Sequence, residues 1–211
     1  MLELLREHQI GPRFRALMIG AQKAKGAPIA LIAVPFWGKG AIKILGLGGG
    51  KNVWIICNLN STARNPHVIE NLKKLEGVKI RSHARLHAKI YAGPKFVIVG
   101  SSNASTNGLT EEGDAALGWI EANIATDNPQ VVQLVRKLFD KLWNSRESTP
   151  VNASALNRAK IAYKNRPWNN RPANATTLLA ACRENPTLFQ SFFVGTYNQD
   201  LGPNGSKSLL R

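Results

Sequence analysis

Cysteine is scarce. Two residues in 211, Cys57 and Cys182, are too few and too far apart for a disulfide framework. Cys57 follows an apolar run (Val53, Trp54, Ile55, Ile56) and reads as a small core residue. Four histidines, His8, His67, His83 and His87, are scattered, and no Cys/His cluster has zinc-ligand spacing. Any hydrolysis by this chain is therefore expected to need no metal or other cofactor. Long apolar runs are missing too: the best stretch, residues 27–37, is broken by Pro28 and Pro35. It falls well short of the roughly 20 residues that span a bilayer. The N-terminus lacks the charged start, apolar core and cleavage site of a secretory signal, so the expected address is cytoplasmic. Acidic residues are few, 13 against 28 Lys and Arg, which leaves a net charge of +15 and a pI near 10.3. A surplus of this size attracts polyanions at long range, nucleic acid first and an anionic membrane surface second.

Apolar runs over residues 29–36 and 52–58 read as buried strands. Each is followed by a helix, over 41–47 and over 65–75, the second opened by Asn65-Pro66. Strand, helix, strand, helix argues for an α/β layer with parallel strands. The first ~25 residues read as one or two amphipathic helices interrupted at Gly11-Pro12. Residues 78–92 alternate strictly, and at that length one strand is expected to break or bulge near 82–85. Further strands are expected over 96–99 and 115–121. Asn128-Pro129 caps a periodic helix whose stripe (Val131, Val132, Val135, Leu138, Phe139, Leu142) reads as core. Residues 1–147 are expected to form the main domain. Residues 148–211, with eight Lys or Arg against two acids, are expected to form a basic appendage with helices near 155–164 and 176–193.

His87 and Lys89 lie two apart in the alternating segment, so on a strand they share a face ~6–7 Å apart. Eleven residues after Lys89 a buried strand runs out into Gly100-Ser101-Ser102-Asn103. If the two strands are neighbours, an imidazole, an ammonium, a hydroxyl and a carboxamide collect at one sheet end. Those groups suit phosphoryl transfer: a nucleophile or proton carrier, and donors for an anionic phosphorus. An H-x-K tripeptide alone more often marks a solvated basic strand. The G-S-x-N at this distance changes the balance.

The stretch HAKIYAGPKFVIVGSSN resembles the phospholipase D superfamily signature, loosely extended over residues 25–145. The resemblance implies an α/β/α sandwich around a mixed, largely parallel sheet. It also implies a metal-independent, two-step phosphodiesterase working through a phosphohistidine. His87 would be nucleophile or general acid, Lys89 and Asn103 would hold phosphoryl oxygens, and Ser101 would support them. Asp114 stands where the family often carries an acid that orients the histidine; Glu111 and Glu112 read as a solvated loop. The family's usual Asp five residues after the Lys is replaced here by Pro94. With one H-x-K copy, the second histidine of the mechanism implies a homodimer with its two-fold axis through the site. The basic row Lys79, Arg81, Arg85 and Lys89 and the cations Lys160, Lys164 and Arg166 favour nucleic acid, DNA before RNA, as substrate. Trp168 and Tyr163 stand among the later cations as candidates for base stacking. Two alternatives stand beside this: a phospholipase or phospholipid transferase of the same fold, and a nucleic-acid-binding module without catalysis. A larger parent protein or a partner that recognises the target fits the same sequence.

Overall fold

The computed structural model describes residues 1–19, 28–60, 65–109 and 120–165, with isolated positions 183 and 187. Its elements are strands β1 (Leu2–Arg6), β2 (Ala30–Ala33), β3 (Val53–Cys57), β4 (Val78–His83), β5 (Ile90–Ala92), β6 (Val97–Gly100), β7 (Ala122–Thr126) and β8 (Ser148–Pro150). The helices are α1 (Glu7–Ile19), α2 (Ala41–Ile44), α3 (Pro66–Lys73), α4 (Pro129–Trp143) and α5 (Ala153–Lys164). All eight strands join one sheet in the order β1-β7-β6-β5-β2-β3-β4-β8. Residues Met1–Lys164 form one compact unit and Asn165–Arg211 a second. Apart from positions 183 and 187, the helix expected over 176–193 lies outside the described residues, as do Arg166, Trp168 and Cys182.

Alternation along the buried strands sorts side chains into two layers. From β2 and β3, Ala30, Ile32, Val53 and Ile55 enter a core with Ile10 and Phe14 of α1, Ile44 of α2 and Ile69 and Leu72 of α3. Leu31, Ala33 and Ile56 enter the opposite core, which α4 closes with Val132 and Phe139. Helices on both faces of one sheet make the α/β/α sandwich. Local chemistry sets the helix starts: the Asn65 side chain accepts from the His67 amide, and the Asn128 side chain accepts from Gln130 and Val131, each just before a first-turn proline.

The sheet is mixed as expected, yet it is not largely parallel. Only β2/β3 and β3/β4 pair parallel; the other five pairings are antiparallel. In one of these, the short turn at residues 93–96 folds β6 straight back on β5. The long alternating segment breaks after His83, within the expected stretch 82–85, and its two halves become separate strands. β4 lies beside β3, whereas β5 lies beyond β2, so residues 84–89 carry the chain over the ends of β3 and β2. That crossover is pinned by the Asn58 amide donating to Ala84 O (2.7 Å), the Leu59 N–H donating to Ser82 Oγ (2.9 Å), and Leu86 buried beneath.

At the N-terminus, residues 2–6 are a strand instead of helix, and α1 runs through Gly11-Pro12 without a break. Five residues suffice for either element, and antiparallel pairing with β7 decides in favour of the strand. The segment after Glu147 adds β8 to the sheet beside β4 and sets α5 against α3. Along α4, Val132, Val135, Phe139 and Leu142 meet the core, but Val131 and Leu138 join Leu134 in solvent.

Candidate active site

Strand register brings one end of the sheet together. Ala33 of β2 lies opposite Ile90 of β5, Ile90 opposite Val99 of β6, and Gly100 opposite Asn123 of β7. The segments leaving β2 and β6 and those entering β5 and β7 therefore share this end, the usual place for ligands in open α/β sheets. His87 and Lys89 enter here on the crossover and Ser101 to Asn103 leave here; Gly100 N–H donates to Lys89 O (3.2 Å), joining the two motifs directly.

Lys89 is buried at 7% exposure, and its Nζ sits 3.4 Å from Nδ1 and 3.5 Å from Nε2 of the exposed His87 ring. It also donates to His87 O (2.9 Å). Burial pushes the Lys89 ammonium below the ordinary lysine range, and the charge of Glu121 opposes that shift. Glu121, the residue before β7, accepts a short hydrogen bond from Ser101 Oγ. Sequence reasoning missed it: Glu121 lies eighteen residues beyond Asn103, outside the expected spacing, and only the register of β7 against β6 carries it to the site. Asp114, Glu111 and Glu112 lie outside the described residues.

The G-S-x-N turn is held from behind by buried polar groups. Asn123 Oδ1 accepts from Ser102 N–H (3.2 Å), Asn123 Nδ2 donates to Ser102 Oγ (2.9 Å), and the Tyr91 hydroxyl donates to Ser102 O (2.8 Å). Burial pushes the Tyr91 hydroxyl well above the usual tyrosine range, so it remains a donor. Glycine opens the motif because of β7: a Cβ at Gly100 would stand 2.3 Å from Asn123 Oδ1 and 2.4 Å from Ala122 O. Asn103 Oδ1 is buried with no hydrogen-bond partner, an orphaned acceptor at the site. Replacing Asn123 by Ala strands the Ser102 amide and hydroxyl, an expected loss of about 1–3 kcal/mol. Urea unfolding measures it; an unchanged midpoint would mean that the turn holds without this clamp.

Pro94 sits in the turn at the far end of the β5/β6 hairpin, where Gly93 O accepts from Arg136. Five positions from Lys89 along extended chain is on the order of 13 Å or more. A carboxylate at position 94 would not reach the Lys89 end of the sheet.

The cations singled out in the sequence do not gather with His87, apart from Lys89. Lys79 Nζ lies 5.4 Å from the centre of the Trp54 ring, and Arg81 lies 5.3 Å from that of Trp143, while donating to Trp143 O. These groups flank β3 and β4, on the other side of β2 from β5. Arg85 on the crossover makes a two-pronged bond to Glu147 (2.8 and 2.9 Å). Lys160 pairs with Glu70 across α5 and α3 (2.8 Å), and Lys164 is exposed at the end of α5. Arg166 is not among the described residues.

Beside the site lies an apolar row that sequence reasoning did not find. Leu4 of β1, Ile124 of β7 and Val99 of β6 are directly paired across the sheet, with exposures of 71%, 47% and 38%. Side chains paired in this way share a face. Val99 lies in β6, two residues before Ser101, which follows the end of the strand. Among the described residues no helix is long and apolar enough to cross a membrane.

Residues 46–143 match the family model described as cardiolipin synthase, PLD-like domain. Two solved structures resemble nearly their whole length in this chain: NucT from Helicobacter pylori, 17% identical with a TM-score of 0.51, and Nuc from Salmonella typhimurium, a phospholipase D family member, 12% identical with a TM-score of 0.52. Each match covers 72% of this chain and 99% of the other. The phosphatidylserine synthase of Haemophilus influenzae Rd KW20 is also similar, 10% identical with a TM-score of 0.52, over 83% of this chain and 45% of that one. No curated protein matches the sequence. Over residues 46–143 the chain is similar to the PLD-like family, and it shares the fold of these solved structures, with an H-x-K and a G-S-x-N on adjoining strand ends.

Proposed function

We propose that this protein is a metal-independent nuclease, cutting phosphodiester bonds of nucleic acid, DNA before RNA, with His87 as nucleophile in a site shared by two copies of the chain. The observation that carries the reading is the contact of the exposed His87 ring with the buried Lys89 ammonium, beside the G-S-x-N turn and its orphaned Asn103 oxygen. An imidazole nitrogen of His87 forms a bond to phosphorus as the bond to the leaving oxygen breaks. The partner subunit's His87 gives that oxygen its proton. Water then attacks the phosphohistidine, passes a proton back to the partner's imidazole, and the nitrogen–phosphorus bond breaks to release the product. Lys89 and the Asn103 amide hold the phosphoryl oxygens. Ser101 and Glu121 brace Lys89 from the β7 side, and Asp114 is assigned the orienting of the histidine.

The exposed row Leu4, Ile124 and Val99 supports the shared site. It is a sheet face left open beside the nucleophile, and a two-fold contact there would bring two copies of the site towards each other. Net charge supports nucleic acid as substrate, with Lys79, Arg81, Arg85, Lys160, Lys164 and Arg166 as its contacts along the backbone. The basic segment 148–211 would serve that binding. The test is nicking of plasmid and cleavage of single-stranded oligonucleotides in EDTA. Cleavage supports the reading; tight binding without cleavage would leave a binding module. The same apolar row favours a second reading, phospholipid cleavage or transfer, which turnover of anionic phospholipid vesicles in place of DNA would reveal.

The pH profile has an expected sign. Lys89 works as the cation, and its folded pKa is lowered, so the charge is lost as pH rises through a value below the ordinary lysine range. The alkaline limb of kcat/KM is expected there. Glu121→Gln removes the charge that opposes the shift and moves the limb lower still. A limb that stays put or rises in this variant separates Lys89 from the pH dependence.

A further inference from the structure

Phe36 is the one aromatic ring against the nucleophile among the described residues. Its ring stands edge-to-face with His87, centroids 6.5 Å apart and planes at 82°. It leaves β2 at the same sheet end and remains half-buried, whereas its neighbour Trp37 is 1% exposed and bonded through Nε1 to Val34 O. The backbone around Phe36 is zipped to the segment that follows Asn103. Ala104 N–H donates to Phe36 O (3.2 Å), Gly38 N–H to Ala104 O (2.8 Å), and Thr106 N–H to Lys39 O (2.9 Å). A Cβ at Gly38 would stand 2.5 Å from Ser105 Cβ, so the two segments are in close contact. The backbone that carries the ring is thereby tied to the segment that follows Asn103. A half-open benzyl group against the histidine gives up burial that Trp37 obtains one residue later. A planar ligand would recover that area.

We propose that Phe36 is a nucleobase platform: it stacks on the base of a nucleotide adjoining the scissile phosphate and so selects nucleic acid whose bases are unpaired there. This rests on the nuclease reading above. Phosphate held at His87 leaves the attached nucleoside one sugar away, beside a ring whose plane is set across that of the imidazole. Stacking tolerates any base, because every base has a π face. A paired base is buried in its duplex and must leave it to reach the ring. Lys39, exposed three residues further on, supplies a cation for the neighbouring backbone.

The test compares a single-stranded DNA oligonucleotide with the same oligomer built of tetrahydrofuran abasic residues, using the whole chain and two variants. Wild type is expected to cut the base-bearing strand more efficiently, by about five- to a hundredfold in kcat/KM for one stacked base. Phe36→Leu keeps an apolar side chain and should lose that ratio, cutting the base-bearing and abasic strands with equal efficiency. Phe36→Trp should keep the ratio. Because each variant is judged by its own ratio, partial misfolding does not mimic the result. If Phe36→Leu slows both substrates alike, the ring acts only on His87 and the platform is overturned. A wild-type protein indifferent to the bases overturns it equally. Should wild type cut neither strand, the nuclease reading falls together with the platform.

Discussion

His87→Ala should abolish cleavage, by roughly 10^4-fold or more, while leaving DNA binding close to that of wild type. The side chain is exposed and its described contacts are Lys89 and Phe36, so its removal opens no cavity and costs little stability. What disappears is the atom that bonds to phosphorus, and no neighbouring group replaces it: the Lys89 ammonium has no lone pair and Ser101 is bonded to Glu121. The loss should appear in kcat, with the thermal midpoint unchanged. A variant that keeps even a tenth of the activity would remove His87 from the chemistry. In that event His83 would not take its place. It is buried at the end of β4, with Nδ1 accepting the Arg85 amide and Nε2 3.8 Å from Glu147.

Ile124→Glu is expected to give a folded monomer with cleavage reduced by at least about a hundredfold, the scale of a missing general acid. Ile124 lies at the middle of the exposed row, between Leu4 and Val99, so a carboxylate there would be buried unpaired in a two-fold contact yet solvated in the free chain. Light scattering gives the mass, and circular dichroism the fold. Subunit exchange gives an independent reading. With a ninefold excess of His87→Ala chains, nearly every wild-type chain has a defective partner, and activity per wild-type chain should drop about tenfold if both histidines serve one site. Activity that simply dilutes would mean each chain cuts alone. A monomeric Ile124→Glu protein with full activity would lead to the same conclusion.

Much of the architecture was legible because its signals are local. Runs such as Val53 to Cys57 are too apolar to lie anywhere but inside, and Asn-Pro pairs mark helix starts by satisfying first-turn amides. H-x-K and G-S-x-N carried the site because both lie within a short stretch joined by one hairpin, so their meeting needs only β5 beside β6. Other features were not local. The segment 78–92 alternates whether it is one strand or two; that β4 and β5 lie on opposite sides of the β2/β3 pair depends on which strands pair, and pairing is a property of the whole sheet. The same holds for residues 2–6, made a strand by β7 more than a hundred positions away.

By itself the sequence determined the layers, the helix starts, the H-x-K and G-S-x-N motifs and the large positive charge, each set by the identity or spacing of nearby residues. Tertiary structure alone decided that Glu121 meets Ser101, that Phe36 meets His87, and that Leu4, Ile124 and Val99 form one open face. Each of these joins strands distant in sequence, and hydrogen-bond register between strands, which sequence pattern alone does not specify, sets which side chains become neighbours.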